Sequence, residues 1–244
     1  MITATLKPAF AALLLFAAPQ MAFAQEQPDE TPAATPGDDA AQADESDDKA
    51  PAVLRTYQPI NYDAAVDPEN IWVLDLSNGE RVKIRLMPDW APAHIERIKT
   101  LTRSGFYNGV VFHRVIDGFM AQSGDPTGTG MGGSELPDLK AEFNPLPHVR
   151  GSLAMARASE EDSANSQFFI VFYPRFSLDK RYTNLGRVIE NMEAVDAINR
   201  GEPPSDPTRI LQASIASDNI PPPPPPAPVE EAPISADMLS APIG

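Results

Sequence analysis

FHRVIDGFMAQSGD, running from Phe112 to Asp125, is the stretch on which the reading of this chain turns. Arg114 follows Phe112 by two residues, so on a strand both side chains project from one face. A glycine break at Asp117-Gly118 then leads into Phe119, Met120 and Gln122. A guanidinium, an aromatic ring, a thioether and an amide thus fall within nine residues, with no acid–base pair, thiol or metal cluster beside them. Such a set suits holding an apolar group and polarising an amide next to it, rather than cleaving a bond. Two later segments answer it: GSLAMARA (Gly151–Ala158) and ANSQFFIVF (Ala164–Phe172).

Outward from these segments the chain reads as short strands. Ile71–Leu76 and Arg81–Leu86 are β-rich runs joined through Ser77-Asn78-Gly79-Glu80, a strong hairpin signal. Asp89 precedes a helix with Pro92 near its start, Ile95, Ile98 and Leu101 as one buried stripe, and Gly105 as its stop. After the turn at Tyr107-Asn108-Gly109, strands are expected near Val111–Ile116, Phe119–Ser123, Ser152–Arg157, Ser166–Phe172, Leu185–Ile189 and Arg209–Ile215. A second helix is expected over Asn191–Arg200, with Met192, Val195 and Ile198 at spacing three and Gly201 after it. Eight strands and two helices with mostly non-helical connections make this a mainly β chain, a barrel or a sandwich.

Several chemistries are excluded by what is missing. The glycine-rich loop GDPTGTGMGGS (124–134) has neither GxGxxG nor GxxxxGK[ST], and no helical pattern follows it. It is read as a flexible rim loop and not as a phosphate cradle. His94, His113 and His148 are scattered, so no metal site is expected, and His94 is read as a surface or packing residue. Ser123, His113 and Asp125 could suggest a hydrolase, but no GxSxG elbow accompanies them. The absence of cysteine rules out thiol nucleophiles, and it leaves stability to a core rather than to disulfides.

The two ends differ in composition. Residues 1–24 carry Lys7, an apolar run from Ala9 to Ala18, and Ala22-Phe23-Ala24, the pattern of a cleavable secretory signal peptide. The run is too short to cross roughly 30 Å of hydrocarbon as a helix, so no membrane anchor is expected after cleavage. Residues 25–55 are read as a disordered Pro/Ala-rich linker, with nine acids against Lys49 between 25 and 50. The stretch 216–244 is read as a disordered Pro-rich tail, in which Pro221–Pro226 favours a stiff polyproline II spacer. Most of the net charge of −15 sits in these ends. No basic stripe invites nucleic acid or an anionic membrane.

The three central segments resemble the cyclophilin family of peptidyl-prolyl cis-trans isomerases, in particular its bacterial exported members, over about Pro68 to Ile215. The resemblance implies a domain at 68–215 with a closed eight-stranded antiparallel β-barrel capped by two α-helices. It also implies a site on the outer face, since aromatic side chains fill the interior. Arg114 matches the family's catalytic arginine, with Phe119 and Gln122 beside it. Phe119, Met120, Phe169 and Leu178 fall on positions that hold the proline ring. Gln122 would bond the substrate backbone and help orient the arginine. Ala156 and Arg157 fall where main-chain groups pair extended substrate, Ala158 lines the neighbouring pocket, and Gln167 lies at the same rim. Tyr182 stands where many eukaryotic members have histidine, and Ser177 where they have the tryptophan that helps bind cyclosporin, so weak cyclosporin binding is expected. His113 matches a structural position.

The activity implied is isomerisation of X–Pro bonds in proline-containing, unfolded or extended polypeptides, without a cofactor. With the signal peptide, it points to assistance of protein folding in a bacterial periplasm, by a monomer. The alternative is a non-catalytic proline-peptide binding module or holdase chaperone. Arg114 separates the two, because a pure binder has no need of a cation at the prolyl nitrogen.

Overall fold

The computed structural model describes residues 57–224; the stretches expected to be a signal peptide (1–24) and an acidic linker (25–55), and the chain beyond residue 224, lie outside the described residues. IWVLDL forms β1 (Ile71–Leu76) and RVKIRL forms β2 (Arg81–Leu86). Gly79 turns the hairpin between them at φ +87°, a backbone region open to glycine at no steric cost. There follow α1 (Pro92–Arg103), β3 (Arg114–Ile116), β4 (Met120–Ser123), β5 (Ser152–Met155), β6 (Phe168–Val171), β7 (Asn184–Glu190), α2 (Met192–Asp196) and β8 (Ile210–Ile215).

The eight strands make one curled antiparallel sheet in the order β3-β4-β6-β5-β7-β2-β1-β8. The end strands β3 and β8 share no ladder, so the sheet is a curled half-barrel and not the closed barrel the resemblance implies; isolated bridges pair Val111 with Arg209 and Val115 with Gly201. β3 is only three residues long: it ends before the turn at Gly118, φ +66°, and residues 111–113 ahead of it make an isolated bridge and no ladder.

Alternation along the strands sorts side chains between two faces. Phe168 and Ile170 of β6, with Ala121 of β4, join Trp72, Tyr107 and Phe112 in the main core. The rings meet edge to face, Trp72 against Phe168 at 4.8 Å and against Tyr107 at 5.2 Å. That geometry satisfies the ring quadrupoles as well as burying area. The Tyr107 hydroxyl donates to Ser166 O at 3.0 Å, so the buried phenol is not left unpaired. α1 adds Ile95, Ile98 and Leu101, and α2 adds Ala194 and Val195.

Both helices depart from simple expectation. The residue before α1, Ala91, offers no side-chain cap, and Asp89 does not supply one. Instead Glu142 accepts from the N–H groups of Ala93 at 3.2 Å and His94 at 3.1 Å, and from His94 Nδ1 at 2.7 Å. His94 is therefore a packing residue, fully buried. α2 ends at Asp196 and does not reach Arg200. The Asn199 N–H turns to Thr208 Oγ1 at 3.1 Å, and the chain leaves the helix to bridge β3 at Gly201.

Segments flanking 68–215 also pack against the sheet. Arg85, itself buried, donates to the carbonyls of Asn61, Asp63, Val66 and Asp67. After β8, Asp218 and Glu69 close on Arg103 at 3.0 and 2.8 Å.

Candidate active site

The register of β3, β4, β6 and β5 builds one row across the outer face. Arg114 stands opposite Gln122, Gln122 opposite Phe169, and Phe169 opposite Ala154. Directly opposed residues share a face, so a guanidinium, an amide and an aromatic ring come together from strands distant in sequence. Around the row lies a second apolar cluster of Met120, Ala154, Phe169 and Val171, flanked by Phe119, Ala156, Leu178 and Tyr182.

This cluster surrounds a cavity of about 250 Å³ lined by Arg114, Phe119, Met120, Gln122, Ala156, Arg157, Phe169, Leu178 and Tyr182. The two remaining candidates, Ala158 and Gln167, line an adjoining cavity of about 460 Å³ that shares Gln122, Ala156 and Arg157 with the first. All the candidate residues thus converge on two neighbouring hollows.

The apolar walls are themselves held. Phe169 meets the Tyr182 ring edge-on at 5.6 Å and lies on the His148 ring at 6.4 Å, nearly parallel. His148 Nδ1 and the His148 N–H both reach Asp179 Oδ1 at 2.8 Å, next in sequence to the pocket residue Leu178. Burial pushes the His148 pKa down, although the Asp179 carboxylate opposes the shift. Arg175 roofs Phe119 with its guanidinium carbon 5.0 Å from the ring centre, and Arg157 sits likewise over Tyr182 at 5.0 Å. Such contacts add attraction by placing a cation on the ring's negative face.

The polar side is a relay of amides. Gln167 Nε2 donates to the carbonyls of Gly130 at 3.0 Å and Gly132 at 2.8 Å. Its Oε1 accepts from Gln122 Nε2 at 2.9 Å, and Gln122 Oε1 accepts from Arg114 Nη1 at 3.4 Å. Each amide orientation fixes the next. Arg114 Nε donates to Glu202 Oε2 at 2.8 Å. On the backbone, the Ala156 N–H is spent on Gln167 O at 2.9 Å. The Ala156 carbonyl and the Arg157 N–H have no partner among the described residues, so they remain open to an extended peptide.

The glycine-rich loop differs from the flexible rim the sequence suggests. It does border the larger cavity, but the buried Asp125 carboxylate gathers it from within. Asp125 accepts from the N–H groups of Thr127 at 2.8 Å, Thr129 at 3.1 Å, Gly130 at 2.6 Å and Gly132 at 3.1 Å. Burial pushes this carboxyl up, yet the Thr127 hydroxyl and the loop N–H groups outweigh it and hold the pKa at about 2. Ser123 Oγ is committed to Val111 O at 2.9 Å, and among the described residues neither His113 ring nitrogen has a hydrogen-bond partner. Ser123, His113 and Asp125 therefore form no nucleophilic triad.

Glu202, Asp125, His148 and Arg175 belong to the site's architecture and are not among the residues the sequence singles out for it. Asp125 closes the first motif and His148 lies three residues before the second, so a search for buried polar anchors there has a starting point. Glu202 lies 88 residues from Arg114 in an ordinary loop and carries no sequence signal.

The family model for cyclophilin type peptidyl-prolyl cis-trans isomerase matches residues 73–215. A probable peptidyl-prolyl cis-trans isomerase of Brucella suis is 46% identical over 171 residues, 64% of this chain and 87% of that protein. Peptidyl-prolyl cis-trans isomerase B of Bacillus subtilis is 38% identical over 128 residues, 52% of this chain and 89% of that one. A crystal structure of a Hirschia baltica cyclophilin has a TM-score of 0.59 at 29% identity, covering 64% of this chain and 77% of that chain. A Cryptosporidium parvum cyclophilin type isomerase, crystallised in the presence of the dipeptide Ala-Pro, has a TM-score of 0.56 at 30% identity, covering 59% and 98%. By the family model and these relatives, this chain belongs to the cyclophilin-type peptidyl-prolyl cis-trans isomerase family.

Proposed function

We propose that this isomerase assists the folding of exported proteins in a bacterial periplasm, after cleavage of its signal peptide behind Ala24, by turning X–Pro bonds in unfolded or extended segments. The proline ring enters the smaller cavity between Phe119, Met120, Phe169 and Leu178, and Arg114 donates to the prolyl nitrogen. The observation that carries this is the free edge of Arg114 on the rim of an apolar cup. Of the five N–H donors of a guanidinium, one goes to Glu202 and one to Gln122, which leaves three without a partner among the described residues.

The barrier to X–Pro rotation is about 20 kcal/mol and arises from amide resonance, which the twisted transition state loses. Only then does the nitrogen carry a lone pair, so a donor aimed there binds the transition state selectively. One charge-assisted hydrogen bond supplies roughly 1.5–3 kcal/mol, or about 10- to 150-fold. The apolar walls add a second effect by disfavouring the charge-separated planar amide. The Ala156 carbonyl and Arg157 N–H would pair the substrate backbone, Ala158 and Gln167 would border the residue beyond, and no cofactor takes part. The working form in this reading is a monomer, in keeping with the lack of a heptad pattern in the sequence.

The alternative, a binder or holdase without turnover, uses the same cup and is separated by a rate. NMR exchange of a short Ala-Pro peptide with the mature chain should show cis–trans exchange far above the uncatalysed rate. Peptide shifts that report binding while exchange stays at the uncatalysed rate would assign the protein to proline recognition alone.

A further inference from the structure

We infer that Glu202 is the positioning residue that aims the Arg114 guanidinium at the prolyl nitrogen. The inference rests on the reading of Arg114 given above. A donor that acts only in the transition state must be oriented before the amide twists, because reorienting it later adds to the barrier. Arg114 begins a three-residue edge strand and its side chain is 42% exposed, so nothing in its packing alone fixes a rotamer. Gln122 holds it loosely, at 3.4 Å. The short contact is the one from Nε to Glu202 Oε2, at 2.8 Å.

Glu202 is delivered to that point by backbone pairing. The Val115 N–H donates to Gly201 O at 2.8 Å, and the Gly201 N–H donates to Val115 O at 2.9 Å. In an antiparallel bridge the residue before one partner lies opposite the residue after the other, and both share a face. Arg114 precedes Val115 and Glu202 follows Gly201, so the two are cross-strand partners by construction. The turn requires glycine: Gly201 has φ +143°, and a Cβ there would lie 2.6 Å from Pro204 Cα. The bridge that ties β3 to the loop after α2 is thus also the support of Arg114.

The geometry divides the guanidinium's work. Glu202 takes Nε, Gln122 takes one Nη1 proton, and the rest of the group borders the cavity. Ion pairs between such exposed side chains add little to stability, so the value of this one lies in direction. An uncharged acceptor of the same length should serve nearly as well, since the role asks for a lone pair at one place and not for a negative charge.

The test is steady-state isomerisation of an Ala-Pro peptide by the mature chain and by four variants. Glu202→Ala should lower kcat about 5- to 10-fold, with KM within about twofold and the thermal midpoint nearly unchanged. Glu202→Gln should recover to within about threefold of wild type. Arg114→Ala should lose most activity, and Arg114→Ala/Glu202→Ala should lose no more than Arg114→Ala alone, as expected of a residue acting through Arg114. If Arg114→Ala collapses while Glu202→Ala keeps wild-type kcat, the positioning role is wrong and Arg114 stands. Additive losses in the double variant would likewise overturn it, since Glu202 would then act independently. If Arg114→Ala keeps wild-type activity, the reading of Arg114 itself fails and the role of Glu202 falls with it.

Discussion

Replacing Asp125 by asparagine should unfasten the loop on which the site's amides hang. In the native protein Oδ1 accepts from the Thr127 N–H and hydroxyl, while Oδ2 accepts from the N–H groups of Thr129, Gly130 and Gly132. An asparagine must turn its NH₂ toward one of these donor sets, whichever way the amide lies. The carboxyl pKa falls from the ordinary 3.8 to about 2 on folding. At ~1.36 kcal/mol per pKa unit that is about 2.5 kcal/mol of stability in favour of the ionised native form. A donor left facing a donor costs a comparable ~1–3 kcal/mol. We therefore expect Asp125→Asn to destabilise the domain by about 3 kcal/mol at pH 7, a fall in thermal midpoint of roughly 6–12 °C. The sign is fixed by the lowered pKa: the contribution is whole above about pH 4 and is lost as pH falls through about 2. Wild type and variant should accordingly converge in acid. Because Gln167 rests on the carbonyls of Gly130 and Gly132, kcat should fall along with stability. Calorimetric unfolding at pH 7 and at pH 3 is the assay. A midpoint within 2 °C of wild type at pH 7 would refute the anchoring role.

Three further outcomes are expected. Phe169→Ala removes a buried pocket wall and should cost about 3 kcal/mol of stability, whereas Phe169→Leu should fold well and raise KM for an Ala-Pro peptide several-fold; an unchanged KM in the leucine variant would remove Phe169 from the proline cup. Burial lowers the pKa of both His113 and His148, so the unfolded chain binds protons first as pH drops below about 6.5; the thermal midpoint should be highest above that pH and decline toward pH 5, with a shallower decline in His148→Asn, and a flat profile for wild type would contradict it. If, as the resemblance implies, Ser177 stands where many eukaryotic members have tryptophan, cyclosporin should inhibit weakly, and a nanomolar inhibition constant would contradict this.

The outer-face row was legible through the resemblance carried by its contiguous motifs; alternation alone did not assign it, since it sets Phe112 on the side of Arg114, whereas Phe112 lies in the main core and Arg114 lines the outer cavity. Arg114, Phe119, Met120 and Gln122 lie within nine residues, and Phe168 and Phe169 take opposite sides of one strand as period-2 reading requires. Strand cores were legible from the β-rich runs, while their ends were not: β3 ends at Ile116 as expected, but residues 111–113 before it join no ladder and make only the isolated bridge of Val111 to Arg209. What stayed hidden were partnerships across long separations. The cap of α1 comes from Glu142, 48 residues beyond His94, and the hold on Arg114 comes from Glu202. Local preference says nothing about such pairs, because each carboxylate reads as one more solvated surface charge. The glycine-rich loop looked flexible for a related reason. Its composition favours turns, and only the three-dimensional burial of Asp125 converts those turns into an anchored rim.

The most direct test is the cis–trans exchange rate of a short Xaa-Pro peptide, followed by NMR with the mature wild-type chain and with Arg114→Ala, while peptide binding is read from the same spectra. Expected are strong acceleration by wild type, loss of most of it in the variant, and similar peptide affinity in both. Binding without acceleration by wild type, or full acceleration by Arg114→Ala, would contradict donation from Arg114 to the prolyl nitrogen.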